Sequence, residues 1–220
     1  MRPRAARNSG QLLALMFLSA FAGTAPAAGP APESPTRWLE RMNLALTTRN
    51  YDGTFSHWHG GRVEMLRIIH RVQDGVVSER LASLDGSGRE FIRSGASLAC
   101  YLPDKRTVLV EQRTAQAPLV EFPRLDERTA SFYDIREVAR TRLNRRDTHV
   151  IAVSPKDEYR YGYRLWIDDS TAMPLKTQLC DAHGHVIEQI VFDLPTEETN
   201  TGIFQYPNSL FALQVVSRPS

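Results

Sequence analysis

The chain has 220 residues, 42% of them hydrophobic and 24% charged, which is enough for one sizeable core and short for two full domains. Lysine and arginine number 27 against 25 acidic residues, but Arg2, Arg4 and Arg7 belong to an N-terminal leader, and without them the balance is 24 against 25. That balance excludes a general nucleic-acid-binding role, and the composition excludes a wholly disordered chain.

Residues 1–27 read as a cleavable export signal. The three arginines form a basic start, Leu12 to Ala22 an apolar stretch of eleven, and Ala25-Pro26-Ala27 a small-x-small site with cleavage expected after Ala27. The stretch is shorter than the roughly twenty residues that span a bilayer. No cysteine precedes Cys100 to accept a lipid at the cleavage point, so the mature chain is expected to be exported and soluble, at most peripheral to a membrane.

Residues 28–35 form a Pro/Ala-rich, flexible lead. Ser34 is placed to cap a helix with Pro35 at its first position, and Trp38, Leu39, Met42, Ala45 and Leu46 fall on one helical face. Asn50 to Gly53 ends that helix. Strands follow at 54–59 and 62–72, joined through Gly60-Gly61, and Asp74-Gly75 opens a meander. There Val77, Glu79, Leu81 and Ser83 take one face and Arg80 and Ala82 the other. Asp85-Gly86-Ser87-Gly88 turns the chain, Phe91 and Ile92 resume the strand, and Leu98 to Leu102 runs into the turn Pro103-Asp104-Lys105-Arg106 before Thr107 to Glu111 returns. Between Gln112 and Asp134 the pattern lapses, with a short helix or lid expected over Leu125 to Tyr133. Strands resume at 135–143, 149–154, 159–167, 175–180 and 185–192. About ten strands, one or two helices and no βαβ alternation predict a mainly β (α+β) fold. The expected form is a large antiparallel sheet that curls into a half-open barrel, covered by one or two helices.

No constellation of catalytic residues stands out, and an enzyme is not expected. There is no G-x-S-x-G, and Ser87 between glycines reads as a turn serine. His57/His59 and His183/His185 each put two imidazoles on one strand face, but at strand ends beside glycine turns and without a cysteine or carboxylate at a metal-site spacing; neither metal nor cofactor is expected. His70 and His149 read as ordinary strand residues, and Asp168/Asp169 as a turn pair. The basic runs Arg136 to Arg146 and Lys105-Arg106 fit a solvated strand face and a turn, or a contact for an acidic partner or an anionic lipid headgroup. Cys100 and Cys180 are a possible disulfide in an exported chain, closing a loop of about eighty residues worth on the order of 4 kcal/mol. Met65, Ile69, Leu81, Phe91, Tyr101, Leu109, Val153, Leu165 and Ile190 are candidates to line the sheet's interior. Strand parity leaves open whether that interior is a filled core or an apolar cavity.

Glu79 to Glu90 has the pattern E-R-L-x-S-L-D-G-x-x-R-E, followed by Cys100-Tyr101-Leu102-Pro103-Asp104. Tyr163 to Glu188 runs strand, Asp-turn, Pro-Leu-Lys strand, Gly-turn, strand, and Trp38-Leu39-x-x-Met42 precedes Tyr51-x-Gly53-Thr54-Phe55. Together these resemble the N-terminal domain of the MucB/RseB family over residues 36–193, and more loosely the lipoprotein carriers of the LolA/LolB type. The resemblance implies a LolA/LolB-like fold in a periplasmic negative regulator of the envelope-stress sigma factor response. Such a protein binds the periplasmic part of a membrane anti-sigma factor of the RseA/MucA type and shields it from proteolysis. It lets go when a lipid or lipopolysaccharide fragment fills an apolar cavity. A lipid or lipoprotein carrier of the periplasm is the alternative. Residues 194–220 read as a polar linker and one short apolar segment, so the family's smaller C-terminal domain is expected to be missing.

Overall fold

A computed structural model of the chain describes residues 33–112, 130–193 and the backbone of 214–218. The export signal and residues 28–32 of the lead lie outside these residues, as do most of the stretch from Leu125 to Tyr133 and most of the tail.

The first element, α1 (Pro35–Thr48), starts as its sequence predicts: the Ser34 hydroxyl accepts from the Arg37 amide at 3.2 Å, and Pro35 opens the first turn. Trp38, Leu39, Met42 and Ala45 are buried, with Leu46 partly so. The strands are β1 (Tyr51–His59), β2 (Arg62–Gln73), β3 (Val76–Ser83), β4 (Glu90–Ser94), β5 (Ser97–Leu102), β6 (Thr107–Gln112), β7 (Tyr133–Leu143), β8 (Arg146–Pro155), β9 (Gly162–Asp168), β10 (Pro174–Cys180), β11 (Val186–Asp193) and β12 (Gln214–Arg218). A single 3-10 turn, Pro103–Lys105, joins β5 to β6.

Among the described residues all twelve strands form one sheet, in the order β12-β6-β5-β4-β3-β2-β1-β11-β10-β9-β8-β7. Two meanders, β1 to β6 and β7 to β11, are thus sewn together along β1 and β11. Neighbours are antiparallel except β12, which runs parallel to β6 from Gln214 opposite Thr107 to Arg218 opposite Glu111. That parallel edge departs from the all-antiparallel expectation; the short apolar segment of the tail supplies it. Strand limits also depart: β1 begins at Tyr51 and not at Thr54, β8 at Arg146 and not at His149, and β9 at Gly162 and not at Tyr159, because 156–160 bends away from the sheet and leaves Tyr159 94% exposed.

Two-residue turns fix the registers of the first hairpins. Gly60-Gly61 and Asp74-Gly75 take positive φ at both central positions, the twist that suits a tight hairpin. His59 therefore faces Arg62, His57 faces Glu64 and Phe55 faces Leu66, while Gln73 faces Val76 and His70 faces Glu79.

Residues directly opposite in adjacent strands share a face of the sheet. One row runs Ile151, Leu165, Thr177, Ile190, His57, Glu64 across six strands. Its two ends serve different purposes. At β8 and β9, Ile151, Val153, Leu165 and Ile167 pack with Ala172 and Met173 against the buried side of α1. At the other end Phe55, Leu66, Ile68 and Phe192 form a second cluster with Leu81 and Ile190 beside it. Tyr51 packs against both. The helix therefore covers one wing of a curled sheet and the same face of the other wing holds a cavity.

Candidate functional site

The cavity has a volume of about 520 Å³, within the range of roughly 300–1,000 Å³ usual for small-molecule sites. Phe55, Leu66, Leu81, Phe91 and Ile190 supply its apolar wall, and His57, Glu64, Ser83, Arg89 and Glu188 its polar part. The charged side chains and His57 are paired with one another. His57 Nε2 lies 3.0 Å from Glu188 Oε1, His59 Nδ1 3.8 Å from Glu188 Oε2, and Arg89 Nη2 3.5 Å from Glu64 Oε1. All of these side chains are at least partly open to solvent. The site is amphipathic, with an apolar wall and a polar part; among its lining residues nothing is arranged as nucleophile and base.

Of the expected lining residues, Leu81, Phe91 and Ile190 are in the cavity wall. Met65 and Ile69 alternate with Leu66 and Ile68 and so point to the opposite face of β2; Tyr101 alternates with Cys100 on β5 in the same way. Leu109 shares the face of Phe91 and Cys100 but lies two strands farther out. Leu165 and Val153 are core residues beneath α1. The expected list mixes two faces because alternation within a strand does not carry the register between neighbouring strands.

A second polar cluster, buried, lies on the same face of the sheet beside the wall residues Leu81 and Phe91, on the row Tyr51, His70, Glu79, Arg93. His70 Nδ1 is 2.8 Å from Glu79 Oε1, and Arg93 Nε donates to Glu79 Oε2 at 2.9 Å. All three are buried, and the Tyr51 ring stacks on His70 at 4.7 Å. Burial pushes the Tyr51 hydroxyl far above its ordinary range, with the Glu79 carboxylate adding to the effect and Arg93 opposing it. His149 is equally far from an ordinary strand residue. It stacks on Trp38 at 3.8 Å, with Nδ1 3.0 Å from Glu137 and Nε2 2.7 Å from Asp169. These histidines are structural parts of the packing, which their sequence context alone does not reveal.

The remaining candidates find simple roles. Asp85 accepts from the Ser87 amide and holds its turn; the hydrogen bonds from Ser87 lower its carboxyl to about 2. Asp168 caps the turn after β9, accepting from Ser170 Oγ and from Thr171 N and Oγ1. His57/His59 and His183/His185 do have carboxylates within reach, Glu188 and Asp181, which corrects the sequence reading. Among the described residues no group of three or more His, Cys, Asp or Glu is placed to hold a metal. Cys100 and Cys180 are both free and sit on β5 and β10, six places apart in the sheet order. The possible disulfide is thus not formed, since pairing needs Cα atoms within about 7 Å. Burial raises both thiols, which makes neither a ready nucleophile.

A family model described as the MucB/RseB N-terminal domain matches residues 34–199. The sigma factor AlgU regulatory protein MucB of Pseudomonas aeruginosa is 33% identical over 198 residues, 89% of this chain and 58% of that protein. The crystal structure of MucB is similar with a TM-score of 0.66 at 31% identity, over 83% of this chain and 65% of that one. MucB in the Pseudomonas aeruginosa MucA/MucB complex is similar with a TM-score of 0.60 at 31% identity, over 83% and 63%. The chain spans little more than half the length of the curated relatives it matches, and their names describe regulators of sigma factors. With a family match that covers most of its residues, this chain belongs to the MucB/RseB family.

Proposed function

We propose that this chain is the sensing part of a periplasmic regulator of an envelope-stress sigma factor. In this reading it binds the periplasmic segment of a membrane anti-sigma factor, protects that segment from proteolysis, and releases it when a lipid occupies the cavity. The observation that carries the proposal is the coincidence of family membership with an amphipathic cavity on the sheet face beside α1. A relative solved as a MucA/MucB complex supports the choice of partner. No covalent step is required. A ligand that binds one of two states better shifts the equilibrium between them by its difference in affinity.

The test is retention of the anti-sigma periplasmic segment on immobilised protein, with an intact two-domain homologue as the reference. Retention that falls as a lipid is titrated in supports the reading. No retention on this chain, under conditions where the homologue retains the segment, overturns it. The cavity also favours a second reading, a carrier of lipids or lipoproteins. Native mass spectrometry of protein taken from the periplasm separates the two, because a carrier holds a stoichiometric acylated species and a regulator at rest is empty.

A further inference from the structure

We propose that the outer face of the sheet, opposite the cavity, docks an extended peptide segment that carries an acidic residue and, about four to six residues away, an apolar one. The inference goes beyond the proposed function, whose cavity is on the other face, and holds whichever protein supplies the segment. Strand register defines the surface. Arg164, Gln178, Gln189, Trp58 and Val63 stand opposite one another on β9, β10, β11, β1 and β2. Each is the chain neighbour of a residue in the row Leu165, Thr177, Ile190, His57, Glu64, so its side chain leaves the other side of the sheet. The next outer row holds Trp166, Lys176, Val191, Ser56 and Met65.

Charge fixes one end of the docking surface. Lys176 Nζ lies 4.6 Å over the Trp166 ring, and burial together with the nearby Arg164 guanidinium lowers the pKa of this ammonium. Neither Arg164 nor Lys176 meets a carboxylate among the described residues, whereas Arg136, Arg142 and Arg146 on the neighbouring strands each do. Two cations held side by side without a counter-charge are the complement of an acidic group. Beside them Gln178 is 9% exposed; its Nε2 donates to Gln189 Oε1 at 2.7 Å, and its Oε1 accepts nothing among the described residues. A buried acceptor left open calls for an N–H donor, which a peptide backbone brings and a free phosphate or carboxylate ion does not. Apolar surface fixes the other end. Val63 and Met65 are 63% and 46% exposed, and Trp58 stands opposite Val63. Strands are about 4.8 Å apart, so the row spans roughly 14 Å from Arg164 to Trp58 and roughly 19 Å to Val63, the length of about four to six extended residues.

The experiment is fluorescence anisotropy of labelled, capped peptides titrated with the full chain at low ionic strength. The probe carries two adjacent aspartates and, about four residues on, a leucine, joined by glycine and serine. One control replaces the aspartates by asparagines and another the leucine by serine. The acidic probe should bind about tenfold tighter than the asparagine control, the scale of one charge-assisted hydrogen bond, and added salt should shrink that preference. Arg164→Gln with Lys176→Gln should reduce it to about twofold, and circular dichroism checks that the variant is folded. Arg142→Gln, which removes a charge already facing Asp147, should leave it unchanged. Val63→Ser should weaken binding of the leucine probe and spare the serine control. Equal affinity for the acidic and asparagine peptides, a preference that survives the double variant, or no binding by any peptide overturns the inference. So does capture of phosphatidylglycerol vesicles through the same two cations without a preference between the peptides, which assigns the face to a membrane. Each of these outcomes leaves the proposed function standing, because that reading rests on the cavity of the other face and on the family.

Discussion

Replacing Glu79 by glutamine removes one charge and almost no volume from the most deeply buried ionic group described in the protein. Glu79 is 1% exposed and bridges His70 and Arg93, each 4% exposed, at 2.8 and 2.9 Å. Glutamine keeps one oxygen to accept from Arg93, but the guanidinium then lies in the interior without a counter-charge. Breaking a buried pair by neutralising one partner costs about 3–5 kcal/mol, against a total stability of roughly 5–15 kcal/mol for a domain. For a chain of this size each kcal/mol moves the thermal midpoint by about 2–4 °C, so a fall of roughly 6–20 °C is expected. Urea unfolding followed by tryptophan fluorescence should show the midpoint falling with an unchanged slope, as for a change in stability that leaves compactness alone. The exposed pair Arg37–Glu40, 3.0 Å apart, is the control, and its removal should cost no more than about 0.5 kcal/mol. A loss below about 1 kcal/mol for Glu79→Gln would refute the reasoning, since it would mean that water reaches Arg93. The companion variant replaces the group whole, as His70→Leu, Glu79→Leu and Arg93→Met. Arg93 Nη1 and His70 Nε2 already make no hydrogen bond among the described residues, so the apolar version should be neutral or more stable by about 1–4 kcal/mol.

Met42 is fully buried where α1 meets β8 and β9; Met42→Ala should cost about 2–5 kcal/mol by urea unfolding, and a cost under 1 kcal/mol would mean that the helix does not close this wing. Ser34→Ala removes the side-chain cap on the first turn of α1 and should cost about 1 kcal/mol, with Ser34→Gly milder. Burial pushes the Asp168 carboxyl up, but hydrogen bonds from Ser170 and Thr171 and the Arg146 guanidinium outweigh it and hold the group below its ordinary value of 3.8. A depressed folded-state pKa stabilises above the ordinary value and loses that contribution as pH falls through the folded one. Thermal midpoints should therefore drop more steeply below about pH 4 in the parent than in Asp168→Asn, and parallel curves would count against this role.

Much of the fold was legible because its signals are local. Ser34 and Pro35 mark the start of α1, and glycine-bearing turns separate strands whose limits fall within a few residues of the observed ones. The hairpin turns carried more than strand limits. With Gly60-Gly61 and Asp74-Gly75 as two-residue turns, counting outward puts His57 against Glu64, Phe55 against Leu66, and His70 against Glu79. Both the polar mouth of the cavity and the buried ion group were thus half-written in the sequence. The other half was out of reach because it depends on β1 lying beside β11, where His57 meets Glu188 across 131 residues. No local signal sets that register; it follows from where the two meanders can bury a common face.

That common face also explains why the motif E-R-L-x-S-L-D-G-x-x-R-E stands out in the chain. Its first residue, Glu79, anchors the buried ion group, and Leu81 and Ser83, on the same face of β3, line the cavity. Arg80 on the opposite face reaches Glu90, the last residue of the motif, with two hydrogen bonds that pin β3 to β4. Asp85 orders the intervening turn by accepting from the Ser87 amide, and Arg89 leaves that turn to face the cavity. One hairpin therefore carries a wall of the site, its cation and part of the buried ion group beside it. Under the proposed function, a ligand at Leu81, Ser83 or Arg89 would act on the strand that Glu79 holds to His70 and Arg93. A ligand-dependent shift in hydrogen-exchange protection along β3 and β4, rather than along β8 and β9 under α1, is the signature expected of a sensor built this way.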